Sequence, residues 1–187
     1  MNKKEWLYAV IEEYKSLRQE ILNAGNNSQS ILRFGTATIG IVISAGFNFW
    51  EKSPIPDLVF LVFNPILCYI TLTMWIGEFA RMVRADNFII QEIEKKINSE
   101  FPDLPPAIAY ASWLRTPDEK GRSRLFKWNR YATILLFFVT AIFSIGIGNY
   151  KIYGKFSKLE LFIINFVEIL IFIVVALFIY SVGRKLK

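Results

Sequence analysis

The sequence contains no histidine and only one cysteine, Cys68, which lies within an apolar run. Without histidine, catalytic triads and metal sites that use imidazole are excluded. A single cysteine excludes a framework of intrachain disulfides, and its apolar neighbours favour a small packed residue. Walker-type and GxGxxG phosphate loops are also missing. Because these absences leave few groups for enzymatic chemistry, we expect no enzyme and no resident metal or cofactor.

Hydrophobic residues are in excess, at 53% of the chain, and aromatic residues make up 16%. A soluble domain usually has about 45–50% apolar residues. The N-terminal stretch "MNKKEWLYAVIEEYKSLRQE" is charged and lacks the apolar core and cleavage site of a signal peptide. The composition therefore indicates a membrane protein and gives no sign of secretion.

Four apolar runs are long enough to cross a bilayer, which takes about 20 residues of helix. They cover residues 31–50, 58–77, 131–150 and 159–182. Aromatic residues typical of the membrane interface lie at or near their ends: Trp50, Trp75, Trp128, Tyr131, Tyr150 and Tyr153. The sequence predicts an all-α membrane protein whose four transmembrane helices form two hairpins.

The hairpins divide the chain into four segments with different charge. We expect an N-terminal cytoplasmic helix at 1–30, the first hairpin at 31–77, a long cytoplasmic helical segment at 78–130, and the second hairpin with a basic tail at 131–187. The segment 78–130 holds ten Lys and Arg residues, whereas the links 51–57 and 151–158 hold one and three. By the positive-inside rule, both termini and residues 78–130 are cytoplasmic.

An apolar seam on the N-terminal helix predicts a helical partner. It repeats every three or four residues: Leu7, Val10, Tyr14, Leu17 and Ile21. The helix that continues the second span is the nearest partner, within one protomer or across an oligomer. Its expected apolar side consists of Phe79, Val83, Phe88, Ile90, Ile93 and Ile97. We expect "NAGNNS" (23–28) to break or bend the chain, and a short helix near 107–114.

One carboxylate, Glu168, lies inside the fourth apolar run, nine residues from its start and about 13 Å deep at about 1.5 Å per residue. An ionisable group at this depth is costly and is a candidate functional residue. Asn165, three residues earlier, shares its helix face. Three interpretations stay open: a protonated carboxyl bonded between helices, an ionised one facing a watery path, and an ion pair with a cation such as Arg33.

The first span carries a polar stripe, with one small or polar residue every four positions: Thr36, Gly40, Ser44 and Asn48. Such a stripe favours close helix packing or, in a narrow path, the solvation of ions. Arg33 near the cytoplasmic end is expected to snorkel to the interface. In the second span, Pro65 is expected to free a backbone carbonyl and kink the helix.

A basic cluster precedes the third span: Arg115, Lys120, Arg122, Arg124, Lys127 and Arg130, with Phe126 and Trp128 among them. It suits the anionic surface of a membrane, which would also set the topology. It equally suits an anionic ligand, because guanidinium groups grip phosphate and aromatic rings stack on bases. Of these two alternatives, binding of an anionic ligand is the more specific hypothesis, and we name these residues as its candidates.

Two segments, "EYKSLRQEI" (13–21) and "MWIGEFARMVRADNFIIQEIEKKI" (74–97), accompany an order of helix, hairpin and helix over residues 1–100. In this order the chain resembles the SLATT-like small membrane proteins of bacterial nucleotide-linked conflict systems. The second hairpin departs from their two-span pattern, and the four-span effectors of the Hailong defence system are another match. The resemblance implies an oligomeric anti-phage effector of the inner membrane, gated by the product of a partner nucleotidyltransferase.

Taken together, the residues and the resemblance predict a channel. Because the four helices of one protomer barely enclose a pore, we expect a homo-oligomeric ring of several copies, with a tetramer as one expected size. A nucleotide or a short DNA or RNA oligomer would bind the basic cluster and open the channel. The open channel would depolarise the membrane. The alternative is a non-conducting scaffold or adaptor that recruits a cytoplasmic partner. The polar residues within the spans favour the channel, since a scaffold has no need of them.

Overall fold

A computed structural model describes residues 2–52, 54–100, 120–153 and 157–185, with the backbone alone for 120–127, 158, 183 and 185. Within these ranges the chain is helical and contains no strand. The helices are α1, Lys3–Asn48; α2, Ile55–Leu58; α3, Asn64–Phe88; α4, Lys95–Glu100; α5, Lys120–Ile152; and α6, Lys158–Lys185. Two π-helical segments, Val59–Phe63 and Ile89–Glu94, join α2 to α3 and α3 to α4.

Four helical runs are long and apolar enough to cross a membrane: Lys3–Asn48, Ile55–Glu100, Trp128–Ile152 and Leu159–Val182. Each coincides with one of the apolar runs of the sequence, the first ending at Asn48 where residue 50 is expected. The prediction of a helical protein with four such helices is confirmed. The second run has 56% of its most apolar window buried, against 6% for the last. The second run therefore supplies most of the core, and the last one exposes most of its surface.

The chain folds into two compact units. The first, which we call the polar unit, comprises the described parts of Met1–Asn27 and Gly77–Arg130. The second, the apolar unit, comprises those of Ser28–Ile76 and Tyr131–Lys185. The predicted helix near 107–114 lies outside the described residues.

The core of the polar unit joins α1 to α4 and the π-helical segment before α4. Val10 of α1 packs against Ile93 and Ile97, and partly buried side chains surround them: Trp6, Tyr14 and Leu17. Burying one large aliphatic side chain stabilises a fold by about 1.5–3 kcal/mol. The predicted seam therefore finds its partner within one protomer.

Ion pairs flank this core. Arg81 donates a hydrogen bond to Glu20 at 2.9 Å, and Lys3 lies 3.5 Å from Glu100. All four side chains are at least two-fifths exposed. Exposed pairs contribute about 0.2–1 kcal/mol each, so they add less to the stability of this unit than the burial of its apolar side chains.

The expected apolar side of residues 78–97 is wrong at Phe88, which is 41% exposed, whereas its neighbour Ile89 is fully buried. Val83 and Ile90 are partly buried. The difference lies where α3 ends and the π-helical segment Ile89–Glu94, with its wider turn, begins. Ile93 and Ile97 keep their predicted burial.

The predicted break at 23–28 is also wrong, because α1 runs without interruption from Lys3 to Asn48. A glycine inside a helix costs about 1 kcal/mol relative to alanine, and Gly25 is the only one in this stretch. Ala24 beside it is completely buried. Packing at Ala24 offsets the weak helix propensity of its neighbours.

The core of the apolar unit is built around α3. Five of its eight buried members belong to α3, and α1 and α5 supply the rest: Ile39, Cys68, Tyr69, Leu72, Trp75, Ile76, Phe137 and Ala141. Side chains of α6 pack against this cluster from outside. Gly148 of α5 allows a close approach to the π-helical segment Val59–Phe63, since a Cβ there would lie 2.5 Å from the Leu61 side chain.

Candidate functional site

Glu168 lies on α6 with only 5% of its surface exposed. One turn later, Phe172 packs on Phe138 of α5 with ring centroids 4.8 Å apart, and Phe138 packs on Tyr69 of α3 at 6.3 Å. Residues three or four apart share a helix face, and Ile171 and Phe172 both pack on the core cluster that contains Tyr69. Within the protomer, Glu168 therefore lies where α3, α5 and α6 meet.

Several polar atoms in this interior have no hydrogen-bond partner among the described residues. They are Oε2 of Glu168, the hydroxyl of Tyr69 and both side-chain amide atoms of Asn64. Leaving a buried polar group unsatisfied costs about 1–3 kcal/mol. Asn64 is fully buried and Tyr69 is 3% exposed. The interior of the apolar unit thus contains buried polar groups that lower its stability, because they form no hydrogen bond among the described residues.

Asn165 has a partner that sequence analysis missed. Its side-chain amide and that of Asn149 on α5 exchange two hydrogen bonds, of 2.8 and 3.1 Å. Asn165 also donates to the Leu161 carbonyl at 2.9 Å. The amides tie α5 to α6 near the connection between them. The only signal in the sequence was a second asparagine at the end of the third apolar run.

Ser144 of α5 joins α5 to the π-helical segment Val59–Phe63. Its hydroxyl, in a side chain 2% exposed, donates a 2.7 Å hydrogen bond to the Phe60 carbonyl. At the end of this segment the backbone N–H of Asn64 donates to the Val59 carbonyl, five residues back. The next donor in that pattern would be Pro65, which has no N–H. Pro65 therefore leaves the Phe60 carbonyl free, and Ser144 supplies the missing donor.

The polar stripe of the first span lies on the outer face of α1. All four of its residues are exposed on the protomer: Thr36, Gly40, Ser44 and Asn48. The opposite face is the one that packs, because Ile39 is part of the buried cluster and Gly46 lies against Phe60. The stripe therefore makes no packing surface within the protomer.

Arg33 lies on the same outer face of α1 and is exposed. Among the described residues it forms no ion pair with Glu168, which is buried on another helix. The structure thus brings together neither Arg33 and Glu168 nor Glu168 and the stripe. Glu168 belongs to the interior of one protomer, and the stripe to its surface.

The basic cluster is described only in part. Arg115 lies outside the described residues, and the backbone of Lys120, Arg122, Arg124 and Lys127 is helical at the start of α5. Arg130 is half-buried, and its guanidinium lies 5.5 Å from the ring centroid of Phe79. At this distance the cation and the ring attract each other.

Among the described residues, no group of three His, Cys, Asp or Glu side chains is placed to hold a metal ion. Comparison with protein-family models, with curated proteins and with solved structures finds no match to this chain.

Proposed function

We propose that the chain forms a homo-oligomeric ion channel in a bacterial inner membrane, with its spans in two hairpins and both termini in the cytoplasm. The observation that carries the proposal is the exposed polar stripe on α1, from Thr36 to Asn48. Hydrocarbon disfavours exposed hydroxyl and amide groups. A ring of copies, four in the simplest case, would turn these faces toward one another and away from lipid.

In such a ring the stripe would line the conducting path, where hydroxyls and amides can solvate ions. Glu168 and Tyr69 are buried in the interior of each protomer. Their polar groups would support a rearrangement of α3, α5 and α6 on opening, because they form no fixed hydrogen bond within the described residues.

Gating would come from the polar unit. A nucleotide or short DNA or RNA oligomer at the basic cluster would favour one state by binding it more tightly than the other. The resemblance of residues 1–100 to nucleotide-linked effectors supports gating by such a ligand. A partner nucleotidyltransferase would synthesise the ligand. The expected outcome in the cell is anti-phage defence through depolarisation of the membrane.

A non-conducting scaffold is the second candidate. Two apolar side chains on the polar part of α1 favour it, since Tyr8 is 68% and Leu22 61% exposed. Exposed apolar groups on a cytoplasmic helix suit the docking of a soluble partner. A scaffold would insert into the membrane and bind that partner without passing ions.

Potassium efflux from cells that express variants separates the two candidates. We expect Ser44→Leu to lower the efflux about tenfold, which corresponds to a barrier about 1.4 kcal/mol higher. Glu168→Gln should change the efflux without abolishing membrane insertion. Ile41→Leu is the matched control, because Ile41 is exposed on α1 but apolar already. Efflux that stays unchanged in both test variants would contradict the channel.

A further inference from the structure

An open apolar cleft lies between α1 and α5 in the apolar unit. It has two adjoining lobes, of about 280 and 460 Å³. Phe47 of α1 and Phe143 and Ile147 of α5 line both lobes. Phe143 is 68% and Phe47 50% exposed, so the cleft opens on the outer surface of the protomer.

Gly146 keeps the larger lobe open. It lines that lobe, and no heavy atom lies within 4 Å of the position that its Cβ would occupy. A glycine in a helix costs about 1 kcal/mol relative to alanine, and here no close packing contact requires it. Its effect is to leave a depression on α5, bounded by exposed apolar side chains.

A cation packs on one of the residues that line the larger lobe. Trp50 and Tyr150 line this lobe, and the ammonium of Lys151 lies 4.4 Å from the centroid of the Trp50 ring. Lys151 also donates a hydrogen bond to the Trp50 carbonyl. An ammonium has three donors, so two stay available to a ligand. An ammonium therefore lies beside Trp50, one of the aromatic residues that line the apolar trough.

An anionic phospholipid has the matching chemistry. Its acyl chain suits an apolar trough, and its phosphate suits a lysine ammonium. Tryptophan and tyrosine side chains lie at the depth of lipid headgroups. A soluble anion would not use the apolar trough. A zwitterionic lipid such as phosphatidylcholine carries a choline cation beside its phosphate, so its headgroup has no net negative charge to attract the ammonium.

We propose that the cleft between α1 and α5 binds one anionic phospholipid per protomer, with an acyl chain against Phe47, Phe143 and Ile147 and the phosphate at Lys151. This proposal is independent of ion conduction, since a scaffold would carry the same site. The site lies in the apolar unit near the C-terminal ends of α1 and α5, where Phe47 and Lys151 are found.

The test is native mass spectrometry of the full chain, incubated in detergent with equal amounts of phosphatidylglycerol and phosphatidylcholine. We expect one phosphatidylglycerol to stay bound per copy. Lys151→Gln should reduce its retention about fivefold, the effect expected for one lysine near an anionic surface. Lys52→Gln is the matched control, because Lys52 lies in the connection after α1 and stacks on Phe49 instead.

Gly146→Leu tests the apolar part of the site. The Cβ of the new side chain would meet open space in the larger lobe, and the leucine should fill the lobe and abolish retention, whereas Gly77→Leu should not. Gly77 is equally open and lies outside the cleft. Circular dichroism and thermal melting confirm that each variant is folded.

Two results would overturn the proposal. Equal retention of both lipids, unaffected by Lys151→Gln, would show only adventitious annular lipid. An altered number of copies in Gly146→Leu, with lipid retention unchanged, would show that a second copy of the chain occupies the cleft.

Discussion

Replacing Ser144 by alanine tests whether Pro65 makes the hydrogen bond to Phe60 necessary. Interhelical hydrogen bonds within membranes contribute about 0.6 kcal/mol on average and up to about 1.7 kcal/mol. The Phe60 carbonyl accepts from Ser144 at 2.7 Å, and the proline leaves it without a backbone donor. We therefore expect Ser144→Ala to lower the free energy of unfolding by about 1.5 kcal/mol, near the upper limit.

The decisive comparison uses the Pro65→Ala background. Alanine restores a backbone N–H, so the Phe60 carbonyl no longer depends on Ser144, and Ser144→Ala should then cost less than about 0.5 kcal/mol. The difference between backgrounds is the interaction energy of the two positions. Unfolding in mixed micelles with increasing dodecyl sulfate, followed by tryptophan fluorescence, measures both values.

Thr140→Val is the matched control on the same helix. The Thr140 hydroxyl donates to the Leu136 carbonyl within α5 at 2.8 Å, where the backbone is regularly bonded. We expect a change within about 0.5 kcal/mol. An equal cost of Ser144→Ala with and without Pro65 would refute the argument, because the serine would then not replace the missing donor.

Two further predictions concern the contacts of α5. Gly148→Leu should destabilise the fold by about 1–3 kcal/mol through overpacking against Leu61, measured in the same unfolding assay. Gly146→Ala, which meets open space, should be neutral or slightly stabilising. Asn149→Leu should cost about 1–2 kcal/mol because it leaves the amide of Asn165 without its partner. An undiminished unfolding free energy in either Gly148→Leu or Asn149→Leu would contradict these contacts.

The helical class of the protein could be predicted because hydrophobic runs of about 20 residues have one common solution in a membrane. The pairing of Val10 with the helix after the second span also followed from spacing along the chain. Both depend on local periodicity, which is visible in the residues themselves.

Other features depend on what a residue meets across the bundle. Nothing in the sequence indicates that residues 89–94 adopt a π-helical turn, or that Ile89 is buried and Phe88 exposed. The continuity of α1 past Gly25 depends on the burial of Ala24. Pro65 did suggest a freed carbonyl, but only the packing of α5 identifies Ser144 as the group that bonds it.

The candidate site was separated into two places by the fold. From the sequence, Glu168 and the stripe from Thr36 to Asn48 are each predicted to lie in a helix interface or along an ion path. Their helical positions alone could not tell which face meets a neighbour. In the structure Glu168 is enclosed and the stripe is exposed, so the two have different partners.

The central claim is that copies of this chain assemble around an ion path. Its most direct test is a single preparation of the purified protein, with its mass measured in detergent and its potassium flux measured in liposomes. We predict a mass of several copies and a flux that increases with the amount of protein. A strict monomer that carries no flux would contradict the claim.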